Sequence, residues 1–451
     1  MNPKSAETVT ETLADYFSAF AKADISEKVI TEARRLVVDY FGVALAGSRT
    51  DSGKLASEYV FSQGGIGDAT IIGSDKRVPA ASAAFANAIS EHSIELDDVD
   101  VEALFHHGPP VVSAALAVGQ KIGATGAQVL KAIVAGCEMM NRLSRASNNS
   151  LRNRGFHTTP TCGVFGAAAA AGVLLGLTRD QFVSALGLAG AQASGLMEMY
   201  GTSMQKRFNP GPAARNGVVA AEMALAGFTG AETIIDGPRG FGKAFVDEFN
   251  SAELVETLGQ DIPVAIEFKP YSAARPIHNA IDCALIIRNE HGVSAEDIES
   301  IEVARHPEWA EYHVIDNPGT YHEAQVSLPY SVAVAFTDGA ALFDQYSNDR
   351  IENDDHLMAL TKKVKVTIDS SLLRGVSCHM KVKTKDGMFY ESVVDYAKGS
   401  LQNPLSMDEL FQKFELLASV ALDDMRIKKL RNLLEGIDSV SDINQLLEAT
   451  H

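Results

Sequence analysis

The feature that most constrains the fold of this chain is a series of long stretches, within about its first 260 residues, that are rich in small and aliphatic side chains. Ala, Val, Leu and Gly dominate residues 79–92, 111–122, 126–146, 163–176, 179–196 and 211–228. Small side chains at a contact let two helices approach closely. These stretches therefore predict a compact bundle of helices whose central members are buried.

Capping signals indicate where some of these helices begin. Asp24-Ile-Ser-Glu27 resembles a capping box, and apolar residues follow it at helical spacing until Gly47, a plausible stop. Thr125-Gly-Ala-Gln128 and Thr178-Arg-Asp-Gln181 have the same starting pattern. We expect helices to begin at all three signals.

The pattern changes near Ile262, where alternation typical of strands replaces helical periodicity. Asp386-Gly387 is a good hairpin turn within this region. Helical periodicity interrupts the strands twice and returns at the C-terminal end. The expected strands are 300–305, 364–368, 380–384 and 389–394, and the expected helices are 275–289, 327–338, 407–417 and 423–434.

These elements predict a mainly α fold with two domains. A large all-helical domain takes residues 1–264 and 398–451, so it is discontinuous, and a smaller α/β lid domain takes residues 265–397. The lid is thus inserted before the C-terminal helices. The two crossings, near 265 and 398, are candidate hinges.

Composition and charge exclude several classes of function. The formal net charge of −19 disfavours nucleic acid and anionic membranes as partners. The longest apolar candidate, Gly163–Leu177, is shorter than the roughly 20 residues of a membrane span. The N-terminus lacks the apolar region of a signal peptide, and four scattered cysteines favour a reducing cytoplasm.

The densest group of polar residues runs from Glu91 to Pro110, where several acids precede His106 and His107. A loop here could present carboxylates and an imidazole together, as acid–base chemistry requires, or it could be a solvated acidic loop. Asp97-Asp98 lacks the further acid that a magnesium-binding DDxxD motif needs, so we predict no metal.

Several cations precede helices and could bind a carboxylate. His157 and Lys206-Arg207 each stand just before an Ala-rich helix. Lys269 lies where the lid begins, and Arg275 and His278 follow it. A helix cap or a solvated charge pair is the alternative in each case. Tyr312 and Tyr321 could supply a phenol, although a lone tyrosine more often packs.

Segments that occur in the same order over nearly the whole chain resemble the MmgE/PrpD family. They are EHSIELDDVD with His107, GFHTTPTCGVFGAAAAA, QKRFNPGPAARNGVVAAEMALAGFTG, DGPRGFGKAF, FKPYSAARPIHNAID, HEAQVSLPYSVAVAFTDG and DYAKGSLQNPLSMDELFQKF. The family includes 2-methylcitrate dehydratase, cis-aconitate decarboxylase and iminodisuccinate epimerase.

The resemblance implies a homodimer without a cofactor that binds a small anionic polycarboxylate in a cleft between a helical domain and a lid. It assigns sites to His107, His157, Lys206, Lys269 and Tyr312, which we expect to be catalytic, and places Glu95 where the family has an aspartate. The residue patterns described above add Asp97, Arg275 and His278 to Glu95 as the expected substrate-binding residues. In this scheme cations stabilise an enediolate-like state and imidazoles carry protons, although a lysine with a lowered pKa could itself be the base.

Three departures from the family pattern touch this expected site. The usual DFDDT is ELDDV here, so Val99 replaces a hydroxyl residue and Glu95 is one methylene longer than the usual aspartate. Asn209 replaces a histidine, and the usual HPSG after the acidic loop becomes His107-Gly-Pro-Pro. Dehydration is the leading expectation, followed by decarboxylation and then epimerisation. A non-catalytic helical scaffold is the alternative from another class.

Overall fold

A computed structural model describes residues 7–451 except 104, 148, 200–202, 261, 263 and 264. The predicted end of the first domain segment, residue 264, lies outside the described residues. Helices dominate the part before residue 261. They are α1 Val9–Ala19, α2 Glu27–Gly47, α3 Asp51–Gln63, α4 Ala80–Glu91, α5 Ser113–Ile122, α6 Gly126–Ser147, α7 Ser150–Asn153, α8 Thr158–Leu175, α9 Arg179–Gly190, α10 Gln205–Phe208, α11 Pro210–Leu225 and α12 Phe241–Phe245.

The part after residue 264 mixes helices with a sheet. Its helices are α13 His278–His291, α14 Tyr321–Gln325, α15 Leu328–Asp338, α16 Asn348–Asn353, α17 Asp355–Thr361, α18 Met407–Ala418, α19 Asp424–Glu435 and α20 Asn444–Glu448. A short hairpin pairs β1 Ala69–Thr70 with β2 Arg77–Val78 in the helical part. The larger sheet contains β3 Ile298–Arg305, β4 Val364–Ile368, β5 Cys378–Thr384 and β6 Phe389–Val394.

The larger sheet has the order β4-β3-β5-β6. β3 and β4 are parallel, whereas β5 is antiparallel to both β3 and β6. α13 packs against β5 and β6. The mainly α fold with a small α/β part is therefore confirmed.

The Ala-rich helix α8 is the centre of the bundle. It packs against α6 and α11. A Cβ atom added to Gly217 of α11 would lie 2.4 Å from the Cβ of Ala167, so only glycine fits there. α8 is long and apolar enough to cross a membrane, but 89% of it is buried inside the structure. It occupies the position expected of a core helix.

The capping signals have mixed outcomes. Thr178 forms the predicted capping box with Gln181, and Thr125 and Gln128 exchange the same reciprocal hydrogen bonds. The prediction at Asp24 is wrong. α2 begins at Glu27 after Ser26, so Glu27 is the first helical residue and cannot act as the third residue of a capping box.

Two large hydrophobic cores divide the buried side chains. The first combines α1 to α9 and α11 with α18 to α20, which come from the far end of the chain. The second lies between α13, α15 and the sheet. The acidic loop after α4 meets both parts, because Val99 pairs with Glu267 and the Ile94 carbonyl accepts a hydrogen bond from Ser272. The exact domain boundaries stay a prediction.

Candidate active site

The backbone of the acidic loop adopts an uncommon conformation at Glu95. Its φ is 58°, a left-handed conformation that a residue with a Cβ atom rarely adopts. The loop is held beside it, because the Ile94 carbonyl accepts hydrogen bonds from Ser272 Oγ and Gln325 Nε2. Strained backbone that the surrounding structure enforces is often found at functional sites. Here it aims a carboxylate into the seam between the two cores.

Three cations converge on the Glu95 carboxylate. Lys206 Nζ lies 2.6 Å from both oxygens, Arg207 donates to Oε2, and Lys269 Nζ lies 3.4 Å from Oε1. Burial opposes the charge on Glu95, but the cations outweigh it and hold the pKa of this carboxyl well below its usual range. The predicted residues Glu95, Lys206 and Lys269 are thus brought together.

Lys269 links Glu95 to Asp97. Its Nζ donates to the Glu95 carbonyl and to Asp97 Oδ1, both at 3.2 Å, and its side chain is 1% exposed. Burial alone would lower the pKa of Lys269, but the Asp97 and Glu95 carboxylates raise it above its ordinary value. Lys269 therefore stays protonated. This corrects, for Lys269, the expectation that a lysine with a lowered pKa could be the base.

Asp97 accepts hydrogen bonds from two imidazoles. Its Oδ2 lies 2.6 Å from His92 Nδ1 and 2.9 Å from His106 Nδ1, and His106 Nδ1 also lies 2.5 Å from the Asp98 carbonyl. Burial lowers the pKa of His92 to about 4. Sequence reasoning missed both histidines as site residues, although His92 stands in the acidic segment only three positions before Glu95.

His92, Asp97 and His106 are also the described residues most suited to a metal ion, since their ligand atoms lie within 4.8 Å of one another. The distances from Asp97 Oδ2 to the two ring nitrogens are those of hydrogen bonds. One carboxylate oxygen that accepts from two N–H groups explains the contacts. The absence of a metal from the working enzyme stays a prediction.

His107 contacts Asp98 and not Asp97. Its backbone N–H donates to Asp98 Oδ2 at 2.8 Å, its Nδ1 lies 3.4 Å from the same oxygen, and its ring packs edge-on against Phe105 with centroids 4.6 Å apart. Among the residues that the structure describes, neither ring nitrogen has a hydrogen-bond partner. His106 is thus the histidine of this pair in contact with Asp97, and the catalytic role of His107 stays a prediction.

The ring of His157 lies near that of His92, and their centroids are 6.3 Å apart. Its Nδ1 lies 3.1 Å from the amide nitrogen of Asn209, the residue just before α11. Burial, together with His92 and Lys206, holds the pKa of His157 well below its ordinary value. His157 is therefore a neutral imidazole, and it lies at the site, as the sequence analysis expected.

Arg275 and His278 contact each other at the start of the α/β part. Arg275 donates to Glu267 Oε2 at 2.7 Å and lies 3.1 Å from His278 Nδ1, while His278 Nε2 contacts the Ala273 carbonyl at 3.0 Å. Burial and Arg275 lower the pKa of His278. These contacts lie beside the cation cluster, so the predicted role of both residues in substrate binding stays a prediction.

Tyr312 lies outside the cluster. It is 60% exposed, its ring packs against Trp309, and its carbonyl accepts from Arg305. In this structure the phenol contacts none of the other predicted site residues that are described. Its role as a proton donor has no support from the geometry.

Three residues of the α/β part that sequence reasoning missed lie close to the site. Gln325 accepts from Arg207 at 2.7 Å and donates to the Ile94 carbonyl and to Ser272 Oγ. His313 and His322 each have a pKa lowered to about 4, first by burial and then by Arg305 and Arg207 respectively, and the charge of Lys206 also lowers both pKa values. No short motif distinguishes these residues, because only the packing of the α/β part brings them to the cations.

The arrangement can bind carboxylates and move protons. Two buried cations, Arg207 and Lys269, and the partly buried Lys206 neutralise negative charge in a site from which water is largely excluded, where such interactions are strong. The imidazoles around Asp97 supply nitrogen lone pairs close by.

Two family models match successive parts of the chain. The model of the MmgE/PrpD N-terminal domain matches residues 11–253, and that of the MmgE/PrpD C-terminal domain matches residues 271–436. Cis-aconitate decarboxylase of Aspergillus terreus is 26% identical over 99% of this chain and 96% of its own length. Human cis-aconitate decarboxylase is 26% identical over 98% of this chain and 94% of its own length.

Proposed function

Because the chain belongs to the MmgE/PrpD family, we propose that it is a cofactor-independent lyase that acts on a small polycarboxylate. The observation that carries the proposal is the convergence of Lys206, Arg207 and Lys269 on one buried carboxylate. A pocket that already holds the carboxylate of Glu95 has the charge and the donors to hold a carboxylate of the substrate.

Decarboxylation is the reaction that the observations favour. The two relatives named above are cis-aconitate decarboxylases. Loss of CO2 breaks a carbon–carbon bond and leaves the electron pair on carbon. In an unsaturated acid the neighbouring double bond passes this pair to a carbon beside a remaining carboxylate, where cations stabilise it as an enediolate. A proton then quenches that carbon. The departing CO2 itself needs no proton.

His106 is the proposed proton carrier. Its Nδ1 is held by Asp97 and by the Asp98 carbonyl, and its side chain is 12% exposed, so solvent can renew its proton. Dehydration, the leading expectation from the sequence, also needs a donor for the leaving hydroxyl. The predicted donor, Tyr312, lies outside the cluster, so dehydration ranks second.

A panel of acids incubated with the enzyme in D2O and followed by proton NMR tests the proposal. The panel holds cis-aconitate, citrate, 2-methylcitrate and iminodisuccinate. We expect one member to lose CO2 and to gain one deuterium on carbon. Loss of water or epimerisation would replace decarboxylation with the matching family reaction. No change in any member would favour the non-catalytic scaffold.

Two further features stay proposals. A homodimer rests on the family resemblance, and a cytoplasmic location rests on the four scattered cysteines. Light scattering of the purified protein tests the first, and a mass of one chain would contradict it.

A further inference from the structure

Asn209 stands where the family pattern has a histidine, and its amide contacts a site imidazole. The amide nitrogen lies 3.1 Å from His157 Nδ1 and 3.1 Å from the sulfur of Met199. Asn209 and His157 are 7% and 6% exposed. A thioether sulfur can only accept a hydrogen bond, so the face of the amide that meets both groups is its NH2 donor.

This contact determines where His157 carries its proton. A ring nitrogen that accepts a hydrogen bond has no proton of its own. With Nδ1 as the acceptor, the neutral imidazole is protonated at Nε2. Among the described residues, none forms a hydrogen bond with Nε2 of His157, so this donor is available to a ligand.

The other two site histidines have the opposite arrangement. His92 and His106 both direct Nδ1 toward oxygens that can only accept, namely Asp97 Oδ2 and, for His106, the Asp98 carbonyl as well. Both therefore carry the proton on Nδ1, and their Nε2 atoms have lone pairs. At Nε2, His92 and His106 can thus accept a proton, whereas His157 donates a hydrogen bond.

Two hydrogen bonds fix the backbone of His157 at the start of α8. Its N–H donates to the Gly195 carbonyl at 3.0 Å. Its carbonyl accepts from the hydroxyl of Thr161 at 2.8 Å, one turn into α8.

We propose that Asn209 is a positioning residue that locks His157 as the neutral Nε2–H tautomer, so that His157 donates a hydrogen bond to a substrate oxygen and transfers no proton. The inference deepens the proposed function, on which its catalytic part rests. It replaces the acid or base role that the sequence suggested for His157. A histidine at position 209 could itself gain a proton, whereas the amide of Asn209 donates at any ordinary pH.

Nitrogen NMR of the enzyme labelled with 15N-histidine tests the tautomer without any substrate. The signals of His157 are those lost in His157→Gln. We expect Nε2 to be protonated and Nδ1 to be unprotonated at pH 7.5. A proton on Nδ1, or an imidazolium ion, would overturn the proposal. Because this readout needs no turnover, it is independent of whether the proposed lyase activity is correct.

Asn209→Asp tests the role of the amide. The carboxylate can only accept, so His157 should move its proton to Nδ1 and become easier to protonate. We expect about a hundredfold lower kcat for the substrate found in the panel, since a misplaced imidazole tautomer is costly in catalysis, and a new dependence of kcat on pH. Asn353→Asp, which adds the same charge at an exposed position, should change neither property.

An unaltered tautomer in folded Asn209→Asp would overturn the proposal. If that variant does not fold, Asn209→Ala replaces it. Removal of the donor should then leave His157 with a mixture of tautomers, and retention of pure Nε2–H would contradict the role of Asn209.

Discussion

Glu95 shows at the scale of one residue how this site is built. Its positive φ is unfavourable, and its carboxylate is the shared partner of three cations. Removal of one member of such a group leaves the others buried without a counter-charge, which commonly costs about 3–5 kcal/mol. The ion cluster therefore keeps the loop in its strained conformation.

Glu95→Gly separates the cost of the positive φ from the contribution of the ion cluster to stability. Glycine accepts the positive φ without strain, but the variant loses the carboxylate that neutralises Lys206, Arg207 and Lys269. We expect a lower melting temperature and recovery of much of the loss with millimolar propionate, which restores the missing group by mass action. Differential scanning fluorimetry measures both.

Two comparisons limit the interpretation of that result. Propanol has no charge and should not restore stability, and propionate should stabilise the wild-type protein less than the variant, because Glu95 shares the cations in the wild type. Equal stabilisation of both proteins by propionate would contradict the proposed cluster.

Most of the cation cluster could be predicted from the sequence, because its members stand in short polar segments beside apolar helices. Lys206, Lys269 and Glu95 are of this kind. The choice between His106 and His107 could not be predicted, since adjacent side chains point in different directions and only the structure shows which one meets Asp97. Gln325 lies far along the chain from Arg207, which it contacts.

At the scale of the elements, the small residues of α8 and α11 determine how closely the central helices approach. Val164 to Ala168 of α8 leave no space beside Gly217 for even one methyl group. The same contact holds α11 at the site, because Lys206, Arg207 and Asn209 lie immediately before this helix.

Gly217→Ala tests the importance of that contact. The added methyl group should force α8 and α11 apart and lower the free energy of unfolding by about 1–3 kcal/mol. Urea denaturation measures the change. Gly436→Ala is the matched control, since Gly436 is exposed and has ordinary van der Waals space around it. Equal stability of Gly217→Ala and the wild type would show that the helices can separate without cost.

The bounds of elements with strong hydrophobic periodicity could be predicted closely, whereas several short elements could not be predicted. β4 and β6 have the predicted bounds, and α15 differs by a single residue. The short helices α16 and α17 and the hairpin of β1 and β2 were not predicted, because segments this short lack a clear period. Their formation depends on the surface against which they pack.

At the scale of the whole molecule, buried neutral histidines link stability to pH. The pKa values of His92, His313 and His322 are lowered from 6.5 to about 4. Between these values the unfolded chain binds more protons than the folded one, so stability falls as the pH falls from about 6.5 to about 4. Asp39, whose pKa burial raises to about 6, makes the fold more stable as the pH falls, but it is one group against these three histidines.

We expect the urea midpoint to decrease between pH 7 and pH 5. His322→Asn should reduce the decrease, because asparagine does not titrate, whereas His356→Asn at an exposed position should leave it unchanged. A midpoint that rises over this interval would show that the buried carboxyls outweigh the histidines.

The pairing of the two cores around one acidic loop could be predicted only in outline. The change from helical to strand periodicity revealed that a second unit exists. The contacts that join it to the first part, such as those of Ser272 and Gln325 with the Ile94 carbonyl, depend on the final packing. Family resemblance supplied the expectation that the site lies between them.

The central claim is that the cations around Glu95 bind and activate the substrate, and Lys206→Met tests it most directly. Arg207 and Lys269 remain to neutralise Glu95 in this variant, so the fold should survive, as circular dichroism would show. The measurement is kcat/KM for the acid that the wild type converts, with Lys365→Met, at an exposed position, as the control. We predict a fall of about a hundredfold or more for Lys206→Met alone; equal values for the two variants would contradict the claim.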